Sequence, residues 1–213
     1  MTNLETSLSS VIQHLSQGGI IAYPTETIWG LGADIRFPEG LARINQIKGR
    51  VPQKATSVLV SGVEMAREYA ELTAETENFL HLFWPGPLTM VLPAKSSVPA
   101  ELLAADGTVG LRCSSHPWVR ELLLEYPYAI TTTSANRSGE PPAKSLEELH
   151  WLPNEVVKIH WQENCGVGEA STVVKPTQDP HHFKVLRSGL LKPQVLKRLT
   201  ELAGLSIILE IDD

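Results

Sequence analysis

Two cations, Lys48 and Arg50, end an apolar helical pattern and are separated only by Gly49. Lysine supplies a compact positive charge and arginine a planar fork of donors, so together they could bind a chain of phosphates. Cations at the carboxyl end of a helix also interact favourably with the helix dipole, without any ligand. The sequence alone leaves both interpretations open.

Small hydroxyl side chains and glycines are concentrated in two segments that each begin with an apolar run. These are residues 23–34 (YPTETIWGLGAD) and residues 129–142 (AITTTSANRSGEPP). In an open α/β sheet the loops at strand ends line the ligand crevice, where hydroxyls and backbone N–H groups could bind an anion. The alternative for both segments is turn chemistry, in which Thr, Ser and Asn bond to nearby backbone groups.

Three further polar positions stand at expected strand ends. Arg112 ends one strand, Ser171 opens another together with Thr172, and Arg187 precedes a Ser-Gly pair. A single arginine at a strand end is usually a solvated surface residue. These positions therefore indicate a site only if the fold brings them together.

The common catalytic and metal-binding motifs are absent from the sequence. It contains no G-x-x-x-x-G-K-[ST], G-x-G-x-x-G, G-x-S-x-G or H-E-x-x-H motif. His181 and His182 are adjacent and would diverge in a strand. Cys113 and Cys165 form no paired motif, so we expect each to be a small buried residue. We expect no metal ion bound by protein side chains.

The overall charge argues against a protein that mainly binds nucleic acid. There are 18 Lys and Arg against 24 Asp and Glu, a net charge of -6, whereas phosphate-backbone binders usually carry an excess of positive charge. A local positive patch is still compatible with this balance. The first residues lack the pattern of a signal peptide, and no apolar run approaches the roughly 20 residues that span a bilayer. We expect a cytoplasmic location and no membrane association.

The secondary-structure elements that must position these residues alternate between strands and helices, and this alternation predicts an α/β fold. No linker divides the sequence, so we expect residues 1–213 to form a single domain. We expect helices over 4–15, 41–48, 63–69, 73–84, 116–126, 145–151 and 193–203. We expect strands over 20–23, 57–60, 88–92, 108–112, 129–133, 156–160, 172–175, 184–187 and 206–211, with a loop between 24 and 40.

Seven segments, taken in order, resemble the YrdC/TsaC family of threonylcarbamoyl-AMP synthases over residues 19–191. They are YPTETIWGLGAD, IKGR, FWPGPLTMVLPA, GTVGLRCSSHP, TTTSANRSGEPP, ASTVV and VLRSG. The resemblance implies a single α/β domain with a twisted, open, mixed sheet, flanked by helices, around a concave positive cleft.

The reaction that the resemblance implies joins L-threonine, bicarbonate or CO2, and ATP. Its products are L-threonylcarbamoyladenylate and pyrophosphate, and it makes the chain a nucleotidyltransferase. Mg2+ is expected to accompany ATP. The product would serve the threonylcarbamoyladenosine modification of tRNA through separate transfer proteins, and direct contact with tRNA is a further expectation.

The family motifs also imply roles for individual residues. Lys-x-Arg and the later Ser-x-Asn fall on Lys48, Arg50, Ser134 and Asn136, which are the expected catalytic residues. The expected L-threonine contacts are Thr25, Arg112, Thr132 and Ser171. The expected ATP contacts are Lys48, Arg50, Thr108, Ser134, Asn136 and Arg187.

Three departures from the family pattern affect one side of the expected threonine pocket. Val51 separates Arg50 from Pro52, no histidine occurs in residues 54–60, and Ser188 stands where relatives often have proline. Two other functions also fit the sequence. One is a module that binds RNA, such as tRNA, without chemistry, and the other is an enzyme that transfers a carbamoyl group through a carbamoyl-adenylate.

Overall fold

The computed structural model describes residues 7–50, 56–161, 166 and 168–211. Its helices are α1 (Leu8–Leu15), α2 (Pro38–Lys48), α3 (Val63–Tyr69), α4 (Ala74–Phe83), α5 (Pro117–Glu125) and α6 (Pro193–Leu202). Its strands are β1 (Ile20–Tyr23), β2 (Gly30–Ala33), β3 (Ser57–Leu59), β4 (Leu88–Pro93), β5 (Thr108–Arg112), β6 (Ile130–Ser134), β7 (Val157–Lys158), β8 (Thr172–Pro176), β9 (His182–Arg187) and β10 (Ile208–Ile211). Short 3-10 turns span Ala100–Leu102 and Glu147–Leu149.

All strands of the described chain belong to one mixed sheet. Their order is β10-β9-β8-β4-β5-β3-β6-β2-β1-β7. Parallel pairs join β1 with β7, β3 with β5, β4 with β8, and β9 with β10. The other neighbours are antiparallel. The predicted α/β class and mixed sheet are confirmed.

Alternation along the central strands separates a core face from a polar face. In β5, Val109 and Leu111 are buried in the largest hydrophobic cluster, which α3 and α4 also contribute to. Thr108, Gly110 and Arg112 occupy the intervening positions, and successive side chains of a strand point to opposite faces. The sequence TVGLR therefore places a threonine and an arginine on the same face, four residues apart.

A left-handed turn at Gly49 ends α2 and reverses the chain. Gly49 has φ 61°, and the amides of Gly49 and Arg50 donate to the carbonyls of Gln46 and Asn45, both at 3.0 Å. This is the pattern of a glycine C-cap, in which the left-handed residue costs little because it has no side chain. The reversal lets Lys48, before the turn, and Arg50, after it, line the same cleft.

One strand was missed by the sequence prediction. Gly30–Ala33 forms β2, inside the segment that we expected to be a loop, and it pairs with both β1 and β6. Its glycines make room for an aromatic ring: a Cβ on Gly30 would lie 2.9 Å from Cζ of Tyr23. A glycine that looks like a turn signal can equally mark a close approach within a sheet.

One predicted helix is also wrong. Residues 145–151 contain only the 3-10 turn Glu147–Leu149, with bonds from Leu149 to Leu146 and from Leu152 to Leu149, both at 3.1 Å. Pro153 follows directly, and a proline disfavours helical geometry in the residue before it. Residues 4–6 of the first predicted helix lie outside the described residues, and Ser7 caps α1.

Candidate active site

A cleft with a volume of about 330 Å³ opens on the polar face of the sheet. That volume is within the usual range for small-molecule sites. Of its described lining residues four are cations and none is an aspartate or glutamate. The fold brings nine of the ten predicted site residues into this cationic cleft: Thr25, Lys48, Arg50, Arg112, Thr132, Ser134, Asn136, Ser171 and Arg187.

Thr108 is the predicted site residue that does not line the cationic cleft. It lines an adjoining trough, together with Val91, Gly110 and Leu186, and its hydroxyl donates to Oδ1 of Asp106 at 2.6 Å. Thr56 and Ser57 line both cavities. The trough therefore continues the cleft across the same face of the sheet.

Lys48 connects the end of α2 to the loop that follows β6. Its ammonium group donates to the carbonyl of Ser134, to the carbonyl of Asn136 at 2.9 Å and to Oδ1 of Asn136 at 3.2 Å. In return, the amide of Ser138 donates to the carbonyl of Lys48 at 2.8 Å. Lys48 is buried, so its position is determined by these loop contacts as well as by the end of the helix.

Arg50 and Arg187 bring positive charge to the cleft from two further sides. Arg50 donates to Oγ1 of Thr56 at 2.5 Å, and Arg187 donates to the carbonyl of Ser171 at 2.8 Å. Burial lowers the pKa of Arg50, and burial together with the charge of Arg112 lowers the pKa of Arg187. Both of these acceptors are neutral, so neither of these two bonds offsets the charge of its guanidinium group.

Arg112 is held from behind by Glu26. Its Nη2 donates to Oε1 of Glu26 at 2.9 Å and to Oγ1 of Thr27 at 2.7 Å. The hydroxyl of Ser114 donates to the other carboxylate oxygen of Glu26. Nε of Arg112 is buried and has no hydrogen-bond partner among the described residues.

The hydroxyl of Thr25 is occupied by its own turn. It donates to the carbonyl of Ile28 at 2.6 Å and accepts from the amides of Thr27 at 3.1 Å and Ile28 at 3.2 Å. This is the turn chemistry that the sequence left open. Thr25 thus shapes the loop that carries Glu26 and Thr27 while its side chain still lines the cleft.

Thr132 is held by a residue two strands away in the sheet. The hydroxyl of Tyr23 donates to Oγ1 of Thr132 at 2.8 Å. Tyr23 lies in β1 and Thr132 in β6, and the ring crosses the glycines of β2 to make this bond. Ser171, on the opposite side, shares a 2.8 Å hydrogen bond with Thr89.

Sequence reasoning missed several residues that line the cleft or support it. Ser57 and Thr89 alternate with core residues in β3 and β4, and that alternation could have identified them. Glu26 and Tyr23 act from behind the cleft, which no local pattern indicates. The missed lining residues include Trp29, Thr56, Ser57, Thr89, Ser138 and Gly139.

The remaining expectations concern metals, membranes and cysteines. Within the described residues no three His, Cys, Asp or Glu side chains are grouped so that they could hold a metal ion, and no described helix is long and apolar enough to cross a membrane. Cys113 is buried, and burial raises its pKa to about 11. Cys165, Val51 and Pro52 lie outside the described residues.

Comparison with known proteins identifies the family. The model of the Sua5/YciO/YrdC domain, described as "Telomere recombination", matches residues 13–189. The chain belongs to the Sua5/YciO/YrdC family. The resemblance inferred from the seven sequence segments is thereby confirmed.

Curated relatives in this family carry the name threonylcarbamoyl-AMP synthase. The protein of Halorhodospira halophila is 39% identical over 137 residues, which cover 63% of this chain and 71% of the relative. That of Xanthomonas oryzae pv. oryzae is 33% identical over 192 residues, which cover 88% of this chain and 100% of the relative.

Solved structures of the family share the fold. Sua5 of P. abyssi, crystallised with L-threonine, superimposes on all of this chain with a TM-score of 0.84 and 28% identity. This chain spans 61% of the length of that Sua5 chain. YciO of E. coli is 21% identical and has a TM-score of 0.74, which supports the shared fold alone.

Proposed function

We propose that this chain is a threonylcarbamoyl-AMP synthase, an enzyme that forms L-threonylcarbamoyladenylate and pyrophosphate from L-threonine, bicarbonate or CO2, and ATP. The observation that carries the proposal is the convergence of Lys48, Arg50, Arg112 and Arg187 on one cleft without a lining carboxylate among the described residues. The names of the curated relatives agree with it. The product would supply the threonylcarbamoyl group for tRNA modification.

The length of the site fits two substrates bound end to end. Arg112 and Thr108 lie four residues apart on one face of β5, a separation of about 13 Å along the strand. We place the amino acid at the Arg112 end and the nucleotide toward Thr108. The reacting groups would then meet in the middle of the cleft, near Lys48 and Arg50.

The chemistry needs positioning and charge stabilisation more than a protein nucleophile. The neutral amine of threonine first combines with CO2 to form an N-carboxylate and a proton, or with bicarbonate to form the N-carboxylate and water. A carbamate oxygen then attacks the α-phosphorus of ATP, the bond to the β-phosphate oxygen breaks, and pyrophosphate leaves with the electron pair. Lys48, Arg50 and Arg187 would offset the repulsion between two anionic reactants and stabilise the charge that develops at phosphorus.

The threonine end would use the residues around Arg112. A guanidinium binds a carboxylate with two parallel hydrogen bonds, and the buried Nε of Arg112 lacks a partner among the described residues. Thr132 and Ser171 line the cleft on either side of β5, which carries Arg112, and could bond to the substrate hydroxyl or carboxylate. Ser134 and Asn136 would adjoin the phosphates, next to Lys48.

The described lining of the cleft does not provide a site for Mg2+ on the protein itself. Mg2+ prefers carboxylate oxygens and water, and Glu26, the nearby carboxylate behind Arg112, already accepts hydrogen bonds on both oxygens. Mg2+ would therefore arrive with ATP, held by phosphate oxygens and water.

The test is release of pyrophosphate from ATP in the presence of Mg2+, with threonine and bicarbonate added separately and together. Mass spectrometry of the fresh mixture identifies the product. We expect release only when both are present, together with the mass of threonylcarbamoyladenylate. Release that requires carbamoyl phosphate in place of bicarbonate would favour the carbamoyl-transfer alternative. RNA binding with a steep salt dependence and no nucleotide chemistry would favour the RNA-binding module.

A further inference from the structure

Glu26 and Arg112 form a buried ion pair directly behind the cationic cleft. Their side chains are 16% and 7% exposed, and Nη2 of Arg112 lies 2.9 Å from Oε1 of Glu26. The pair joins the loop after β1 to the end of β5, residues 86 positions apart in the chain. An ion pair this far from water is costly to form unless its remaining hydrogen-bonding groups are satisfied.

Each carboxylate oxygen of Glu26 accepts a hydrogen bond, and both protons of Nη2 of Arg112 are donated in hydrogen bonds. Oε1 accepts from Arg112 and Oε2 from the hydroxyl of Ser114. The second proton of Nη2 goes to Oγ1 of Thr27 at 2.7 Å. Because a guanidinium is planar and rigid, two fixed bonds at Nη2 determine the orientation of the whole group.

The bonding of Glu26 argues against a role in proton transfer. Burial alone would raise the pKa of Glu26, but the charge of Arg112 and the hydrogen bonds from Ser114 and Arg112 outweigh it and lower the pKa below the ordinary value. A general base works best when its pKa lies near the operating pH and it can reach the proton. Glu26 is ionised at neutral pH and both its oxygens are occupied.

Glu26 also reduces the electrostatic repulsion between Arg112 and the other cations of the cleft. The charge of Arg112 contributes to lowering the pKa of Arg187, so the two guanidinium groups repel each other. A carboxylate fixed behind Arg112 holds that guanidinium in place and reduces the repulsion. Without Glu26, Arg112 could turn toward the phosphates that Lys48, Arg50 and Arg187 are proposed to bind.

We propose that Glu26 is a positioning residue, which holds the Arg112 guanidinium in the orientation that binds the carboxylate of the amino-acid substrate. This inference rests on the proposed function, which assigns that carboxylate to Arg112. Glu26 itself contacts neither substrate. Its loss should therefore weaken the binding of the amino acid and leave the binding of ATP nearly unchanged.

An ion pair with a buried carboxylate and a partly exposed arginine, Asp34 and Arg36, provides the control. Asp34 lies at the far end of β2, its side chain is fully buried, and Oδ2 accepts from Arg36 at 2.6 Å. Neither Asp34 nor Arg36 is among the residues that line the cleft. Asp34→Asn and Glu26→Gln both remove one buried charge from an ion pair while keeping the size of the side chain.

The experiment combines calorimetric titration with L-threonine, KM values from pyrophosphate release, and thermal unfolding. For Glu26→Gln we expect the Kd and the KM for threonine to rise at least about tenfold, because one hydrogen bond between charged groups is then misplaced. The KM for ATP should change less than about twofold. Glu26→Asp should recover part of the threonine affinity. Asp34→Asn should lower the melting temperature while both KM values stay at the wild-type level.

Three results would overturn the inference. Wild-type threonine affinity in Glu26→Gln would make Glu26 merely structural. Equal losses for threonine and ATP would indicate a general disturbance of the cleft. Wild-type protein that binds no threonine would overturn the proposed function itself, and the inference with it, whereas the first two results leave the proposed function standing.

Discussion

The ammonium group of Lys48 contacts two oxygens of Asn136, the backbone carbonyl at 2.9 Å and Oδ1 at 3.2 Å. It also donates to the carbonyl of Ser134. The family motifs Lys-x-Arg and Ser-x-Asn are therefore joined by hydrogen bonds across 86 and 88 positions of sequence. The lysine organises the loop whose serine and asparagine it is expected to work with.

Replacement of Lys48 by methionine should therefore reduce both turnover and stability. Methionine keeps an apolar stem but removes the charge, so turnover should fall about 30- to 900-fold, which corresponds to about 2–4 kcal/mol of transition-state stabilisation. The loss of the donor to buried acceptors should lower the free energy of unfolding by about 1–3 kcal/mol. Pyrophosphate release and urea denaturation measure the two effects.

The control for this prediction is Lys158→Met. Lys158 lies in β7 at the edge of the sheet, outside the cleft, and has a 3.5 Å contact with the carbonyl of Leu152. It should keep wild-type turnover. Full turnover in Lys48→Met would mean that the charge of Lys48 is not needed at the phosphates.

The sequence predicted the alternation of elements well because hydrophobic periodicity is a local property. Nearly all of the predicted helices and strands occur, and the family motifs predicted nine residues that line one cleft. Thr108 lies outside that cleft, in the trough that continues it. Its role in ATP binding stays a prediction, as do the roles of the other nine.

What the sequence could not predict depends on contacts between distant segments. Gly30 and Gly32 resemble a turn, but they form a strand because the ring of Tyr23 lies against them. The partner of Arg112 is Glu26, in a loop 86 residues earlier. Only the contacts of Lys48 with the loop after β6 show that it is more than a cation at a helix end.

Gly30→Ala should destabilise the fold through the ring of Tyr23. The new Cβ would lie 2.9 Å from Cζ of a tyrosine that is fully buried, so the ring would have to shift within a packed core. Such overpacking typically costs about 1–3 kcal/mol, and we expect a loss of that size in urea denaturation. The shift should also disturb the hydrogen bond from Tyr23 to Thr132.

Gly62→Ala is the matched control for that substitution. Gly62 precedes α3 with an extended backbone, and a Cβ there would meet no atom within 4 Å. Its unfolding free energy should stay within about 0.5 kcal/mol of wild type. Equal stability of the two variants would show that the strand can accommodate a side chain at position 30.

The two ends of the site should respond differently to substitution: Thr108→Val should affect the KM for ATP, and Arg112→Lys the KM for threonine. Valine keeps the size of Thr108 and removes its hydroxyl, so the KM for ATP should rise about 3–10-fold, the effect of one lost hydrogen bond. Lysine lacks the rigid fork that allows Arg112 to contact Glu26, Thr27 and a carboxylate together. The KM for threonine should therefore rise in Arg112→Lys.

Steady-state kinetics with each substrate varied in turn measures the KM for ATP and the KM for threonine in both variants. Each variant should leave the KM for the other substrate near the wild-type value. If Thr108→Val raised the KM for threonine instead, the amino acid and the nucleotide would have to exchange places along β5.

The ion pair of Glu26 and Arg112 should also give the stability of the protein a specific dependence on pH. The pKa of Glu26 in the folded protein lies below its ordinary value of 4.5. A carboxyl with a lowered pKa stabilises the fold fully above the ordinary value, and the contribution disappears as the pH falls through the folded pKa. At pH 7, Glu26→Gln should lose about 3–5 kcal/mol of unfolding free energy, since it leaves the buried charge of Arg112 without its partner.

Urea denaturation of wild type and Glu26→Gln, at pH 7 and at a series of values below pH 4.5, tests this dependence. The other carboxyl groups titrate alike in both proteins, so they cancel in the difference. That difference should be constant near neutral pH and shrink as the solution becomes more acidic, because Glu26 of the wild type is then protonated. A difference that stayed the same at every pH would mean that the charge of Glu26 contributes nothing, and that shape alone accounts for the effect of the substitution.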